Sequence, residues 1–187
     1  MQNNIDDILR SNRLIPVVTI HDRAELDRIF QRLKTKNITC IEITLRTEYA
    51  WEAIQTAKQV YGKEFKIGVG TITSVEAIER CMNLQVDFMV SPGLTTNLAR
   101  AFEDSGIAFL PGVATPSEII SAMEQGFRYL KFFPAHLFGG LKALQTYSAL
   151  FPIVTFCPTG GINKDNYPEF LALKNVLSVG GSWLTEE

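Results

Sequence analysis

Two ionisable residues sit inside otherwise apolar runs: Glu42 in CIEIT and Lys131 in YLKFFP. A lysine set among aromatic side chains loses hydration of its ammonium, which favours the neutral amine, the form that a Schiff-base nucleophile needs. A carboxylate brought to the same place can take and return protons. Read singly, Glu42 is equally a solvated acid on an exposed strand, and Lys131 a lysine running its stem past the rim of an edge strand. Two glycine pairs add a third chemistry. Gly160 and Gly161 lie in PTGGIN, and Gly180 and Gly181 precede Ser182 in GGSW. Glycines let backbone N–H groups approach an anion, and the serine hydroxyl is one more donor. Each pair alone is an ordinary turn. GVGT, ending at Thr71, and SPG, containing Pro92, are softer candidates for close substrate approach and read equally as tight turns. His21 and His136 have no second ligand at metal spacing, and no GxSxG or Cys/His motif is present.

The elements that must position these groups recur regularly. Eight short β-branched or apolar runs occupy 15–19, 40–44, 66–70, 88–91, 108–111, 129–133, 154–158 and 176–180. Helical spacing follows, as in Leu26, Ile29, Phe30 and Leu33, or Leu94, Leu98, Ala101 and Phe102. Asp22 with Glu25, Thr73 with Glu76, and Thr115 with Glu118 have capping-box spacing, the last with Pro116 at the first helical position. Repeated βα units imply parallel strands, and eight of them close most economically into a (β/α)8 TIM barrel. An open doubly wound sheet is the rival architecture, but the first βα junction, TIHDR, has no glycine fingerprint. In such a barrel Ile41 and Ile43 face the helices and Glu42 the interior, while Leu130 and Phe132 face out and Lys131 in. The glycine pairs fall after the seventh and eighth runs, where barrels commonly hold phosphate.

Composition narrows the class. The 187 residues carry 18 Lys plus Arg against 20 Asp plus Glu, a balance that disfavours nucleic acid as a partner. Cys40, Cys81 and Cys157 are odd in number and share no CxxC spacing, which fits a reducing compartment. The polar, acidic start and the absence of a run of about 18 apolar residues speak against a membrane protein. The expectation is one cytoplasmic domain over 1–187.

With these residues placed, the sequence resembles the 2-keto-3-deoxy-6-phosphogluconate (KDPG) and 2-keto-4-hydroxyglutarate (KHG) aldolases, class I lyases. The likeness runs through EITLRT, GVGT, SPGL, the Pro111-Gly112 pair, KFFPA, PTGGI and GGSW. It implies Lys131 as the Schiff-base lysine and Glu42 as the general acid/base. Arg46 and Thr71 would hold the substrate carboxylate, Pro92 and Phe133 would line the pyruvate pocket, and Thr159 would meet the sugar hydroxyls. Gly160, Gly161, Gly180, Gly181 and Ser182 would surround the phosphate. The resemblance further implies cleavage of KDPG to pyruvate and glyceraldehyde 3-phosphate, no cofactor beyond the lysine imine, and a homotrimer. Thr159 and the glycine loops favour KDPG over KHG; the galactonate epimer of KDPG stays open.

Two departures stand out. His136 follows KFFPA where the family commonly has Glu, and the chain stops seven residues after Gly180, short of the final barrel helix. Alternation sets Ser178 inward and Leu177 and Val179 outward on a face that helix would cover. The expectation is a shortened chain, or a face covered by a partner or by residues 5–14. Rival readings are a phosphosugar isomerase or epimerase using the same carboxylate and phosphate loops, and a non-catalytic phosphosugar-binding barrel.

Overall fold

A computed structural model describes residues 5–186. Helix α1 (Ile5–Ser11) leads into β1 (Leu14–Val18), α2 (Arg23–Thr35), β2 (Cys40–Thr44), α3 (Ala50–Tyr61), β3 (Lys66–Gly70), α4 (Val75–Leu84) and β4 (Phe88–Val90). The chain continues through α5 (Thr96–Ser105), β5 (Ala108–Leu110), β6 (Gly112–Val113), α6 (Pro116–Glu124) and β7 (Tyr129–Phe132). It ends with α7 (Gly140–Leu150), β8 (Thr155–Pro158), α8 (Tyr167–Leu171) and β9 (Val179–Gly181). The α/β alternation follows from the caps. The Asp22 carboxylate accepts from Glu25 N at 2.7 Å, and Thr115 and Glu118 form a complete capping box with Pro116 at the helix start. At α4 the cap is Ser74, one residue beyond the expected Thr73, accepting from Ala77 N at 3.3 Å.

The strands are all parallel, but they do not form the expected closed eight-stranded TIM barrel. They fall into a six-stranded sheet, in the order β5-β4-β3-β2-β1-β9, and a three-stranded sheet, β6-β7-β8. Pro111 is one reason: it has no N–H to give, and it separates β5 from β6, which lies just past the fifth run, and the two pair with different neighbours. On the other side, β8 meets the β9 region only through isolated bridges, Phe156 to Val176 and Thr159 to Gly180.

Side-chain alternation sorts the interior into two apolar clusters. Ile41, Ile43, Ile67, Val69, Leu130, Phe132 and Val179 pack outward against helix residues such as Leu26, Phe30, Ile54, Phe102 and Leu144. Ile15, Cys40, Phe88, Val90, Ala108, Leu110 and Cys157 make a smaller inner cluster, which α1 completes with Ile5 and Leu9. Of residues 5–14, the helix α1 therefore closes the inner cluster, while Leu14, the register partner of Val179, packs against the outer one. The outer face beside β9 is covered, because Val179 is fully buried. Trp183 lies against Gly181, where a Cβ would strike its ring, and stacks on Tyr167 with centroids 6.0 Å apart. Arg32 Nη1 donates to Thr185 O and Lys36 Nζ to Leu184 O, each at 2.7 Å, fastening the segment after β9 to α2. Among the described residues no helix follows β9. Leu177 packs against the inner cluster instead of facing out; it precedes β9, so strand alternation does not apply to it.

Candidate active site

Glu42 and Lys131 meet inside the molecule. Alternation on β2 and β7 turns both side chains away from the helices, leaving each residue 3% exposed. Lys131 Nζ donates to Glu42 Oε1 at 3.2 Å and stands 5.1 Å from the Phe133 ring centroid, over its face. The strands beside them are built to make room. A Cβ at Gly70 would run into the Glu42 carboxylate, and one at Gly112, the register partner of Lys131, would strike the backbone of Ser91 and Pro92. Beside the lysine lies Cys157, its register partner on β8, whose thiol is pushed up to about 11 by burial.

The pair opens into a pocket of ≈ 720 Å³ at the carboxyl ends of the strands. Arg46 enters it from the turn after β2, with Nε donating to Thr71 Oγ1 at 3.1 Å. Thr71 has φ 63, an uncommon backbone state for a β-branched residue and one that recurs at functional sites. Thr159 is 6% exposed at the end of β8, against Gly180. The next two residues turn with φ 95 at Gly160 and φ 73 at Gly161, a conformation that only glycine adopts freely. Ser182 completes this side, with its hydroxyl donating to Glu186 Oε1 at 2.9 Å.

Of the residues singled out in the sequence, Arg46, Lys131, Phe133, Thr159, Gly160, Gly161, Gly181 and Ser182 line the pocket. Glu42 stands behind Lys131, Thr71 behind Arg46, Pro92 behind Gly112 and Gly180 behind Thr159. His136 is exposed, and its ring occupies the place a Gly161 Cβ would need. Sequence reasoning missed the opposite wall: Thr19, at the end of β1, and Glu25, Arg28 and Arg32 of α2. Their three- and four-residue spacing, which puts them on one helix face, was the available signal. Among the described residues, no group of three or more His, Cys, Asp or Glu side chains is placed to hold a metal ion, and no helix is long and apolar enough to cross a membrane.

Comparison with known proteins gives a consistent result. The family model described as KDPG and KHG aldolase matches residues 5–187. The 2-dehydro-3-deoxy-phosphogluconate aldolase of Dickeya dadantii is 39% identical over 183 residues, covering 98% of this chain and 85% of the relative. Among solved structures, the KDPG aldolase of Legionella pneumophila, with pyruvate captured at low pH as a covalent carbinolamine intermediate, superposes with a TM-score of 0.92 at 37% identity, covering 96% of this chain and 87% of that one. The Zymomonas mobilis ZM4 enzyme with 3-phosphoglycerate also reaches a TM-score of 0.92 at 37% identity, covering 98% and 87%.

Proposed function

The chain belongs to the KDPG and KHG aldolase family, and from that membership we propose that it is a class I aldolase cleaving KDPG to pyruvate and glyceraldehyde 3-phosphate, with Lys131 as nucleophile and Glu42 as acid and base. The observation that carries the residue assignment is the buried 3.2 Å contact between them.

The steps follow from what these groups can do. Glu42 takes a proton from the Lys131 ammonium, and the free amine adds to the C2 ketone of the substrate to give a carbinolamine. Returning that proton to the C2 oxygen releases water and leaves a protonated imine. Glu42, through a water molecule, then removes the C4 hydroxyl proton as the C3–C4 bond breaks, and the electron pair moves into the enamine. Glyceraldehyde 3-phosphate departs. The enamine is protonated at C3, and hydrolysis releases pyruvate and the lysine. The iminium is the electron sink, so this sequence calls for no further cofactor.

Arg46, held by Thr71, is suited to the C1 carboxylate in a two-pronged contact, which Lys could not reproduce. Phe133 and Pro92 flank the three carbons that become pyruvate, and Thr159 faces the hydroxyl-bearing carbons. The turns at Gly160, Gly161, Gly180 and Gly181 and the hydroxyl of Ser182 offer donors to the phosphate, donors that a short dicarboxylate such as KHG would leave unused. Three free, buried cysteines support a reducing, cytoplasmic setting, and the family resemblance supports a homotrimer.

Borohydride reduction with pyruvate tests this assignment. Mass spectrometry should place one adduct on the peptide containing Lys131, and Lys131→Ala should lack it. An adduct on Lys142, or none on folded protein, overturns the assignment.

A further inference from the structure

The pocket extends past the glycine turns to α2, and the charges there are unevenly committed. Lys131 is bonded to Glu42, Arg46 to Thr71, and Arg32 to the carbonyl of Thr185. Glu25, one helical turn before Arg28 and its natural ion-pair partner, is taken by His21: its Oε2 accepts from His21 N at 2.7 Å and lies 3.1 Å from Nδ1. Glu186, the other acid of the pocket wall, accepts from Ser182. Arg28 lines the same pocket and, among the described residues, makes no ion pair or hydrogen bond.

We propose that Arg28 is a specificity-determining residue that recognises the distal anion of the substrate. The proposal rests on the aldolase reading above and adds a residue from the opposite wall of the same pocket. The glycine turns and Ser182 supply neutral donors only, and Glu186 adds a negative charge beside them. A phosphate dianion at that end gains from a cation in reach, and Arg28 is the pocket guanidinium that has, among the described residues, its donors uncommitted. Ser182 already holds a carboxylate oxygen in this structure, which marks the place as one where an anionic oxygen is accepted. A guanidinium facing the turns closes the anion from the second side and matches phosphate oxygens two at a time.

The test compares kcat and KM for KDPG and for its dephosphorylated form, 2-keto-3-deoxygluconate, in the full chain and in Arg28→Ala and Arg28→Lys. Arg28→Ala should lower the preference for the phosphate ester, taken as the ratio of the two kcat/KM values, by about tenfold or more, which is the scale of one hydrogen bond between charged groups. The loss should appear in KM, shrink at high ionic strength, and be partly restored by Arg28→Lys. An unchanged ratio, or equal losses on both substrates, overturns the role of Arg28 while leaving the aldolase reading intact. A wild-type chain that traps pyruvate on Lys131 but shows no preference for the phosphate ester overturns it too. A wild-type chain that traps no pyruvate and cleaves neither compound overturns the aldolase reading, and the assignment of Arg28 with it.

Discussion

Replacing Lys131 by Met isolates the interdependence of the buried pair. Glu42 is 3% exposed, and Lys131 is its hydrogen-bond partner among the described residues. In Lys131→Met a carboxylate is left in the interior without its cation, a situation that costs about 3–5 kcal/mol when one member of a buried pair is removed. For a chain of this size, at about 2–4 °C per kcal/mol, the thermal midpoint should fall by about 6–20 °C. Removing the charge as well should reverse the loss. In Glu42→Met/Lys131→Met two flexible apolar side chains fill the same space, and exchanging a buried ion pair for apolar residues is often neutral, or stabilising by about 1–4 kcal/mol. Urea titration of wild type, both single variants and the double variant gives the coupling directly from the cycle. Neither lysine variant should trap pyruvate. A Lys131→Met protein as stable as wild type, or a double variant no more stable than Lys131→Met, would refute the view that each group makes the other's burial tolerable.

Gly70→Ala places a methyl group against the Glu42 carboxylate. Cleavage should drop by about 10²- to 10⁴-fold, as for loss of a positioned acid/base, and stability by about 1–3 kcal/mol from overpacking; unaltered kcat sinks this reasoning. Burial pushes the thiols of Cys81 up to about 12 and Cys157 up to about 11, and that of Cys40 up as well. The native thiols should therefore resist thiol reagents at pH 8. Stability should fall as pH rises through 9.0, because the unfolded thiols ionise first, by on the order of 1 kcal/mol per thiol over the next pH unit; equal urea midpoints at pH 8 and 10 would contradict it. Asp87→Ala removes the acceptor of Lys58 Nζ and Ile67 N, both at 2.9 Å, and should cost about 1–3 kcal/mol by thermal melting; a variant melting with wild type would show water taking the carboxylate's place.

Much of the site was legible because strand alternation is a strict rule. Glu42 between Ile41 and Ile43, and Lys131 between Leu130 and Phe132, could point inward only if their neighbours packed on helices, and those neighbours do. The caps at Asp22 and Thr115 were equally readable, since cap spacing is local chemistry. The fold was misread where a local feature acts at long range. Pro111 lay in plain view, but its effect depends on which strand lies beside it, and this the sequence does not state. The α2 wall escaped for a similar reason: TIHDR was judged by its lack of a glycine fingerprint, while Glu25, Arg28 and Arg32 reach the pocket from a helix face normally read as solvated. The packing of Trp183 onto Gly181 and the outer cluster is a tertiary contact with no periodic signature.

Glu42, the proposed acid and base, stands on the six-stranded sheet and Lys131, the proposed nucleophile, on the three-stranded one. Their separation is therefore not a rung of any ladder. It is a property of how two sheets are seated against each other, joined through the chain at Pro111 and through the bridges Phe156 to Val176 and Thr159 to Gly180. Substitutions at these joins can widen or narrow the distance between Lys131 and Glu42 while both ladders stay intact and every pocket-lining side chain is kept. Relatives that share the same acid, lysine and glycine turns can on this account differ in turnover through residues that touch none of them. Directed evolution of the scaffold has a defined place to search: the seams, ahead of the pocket wall.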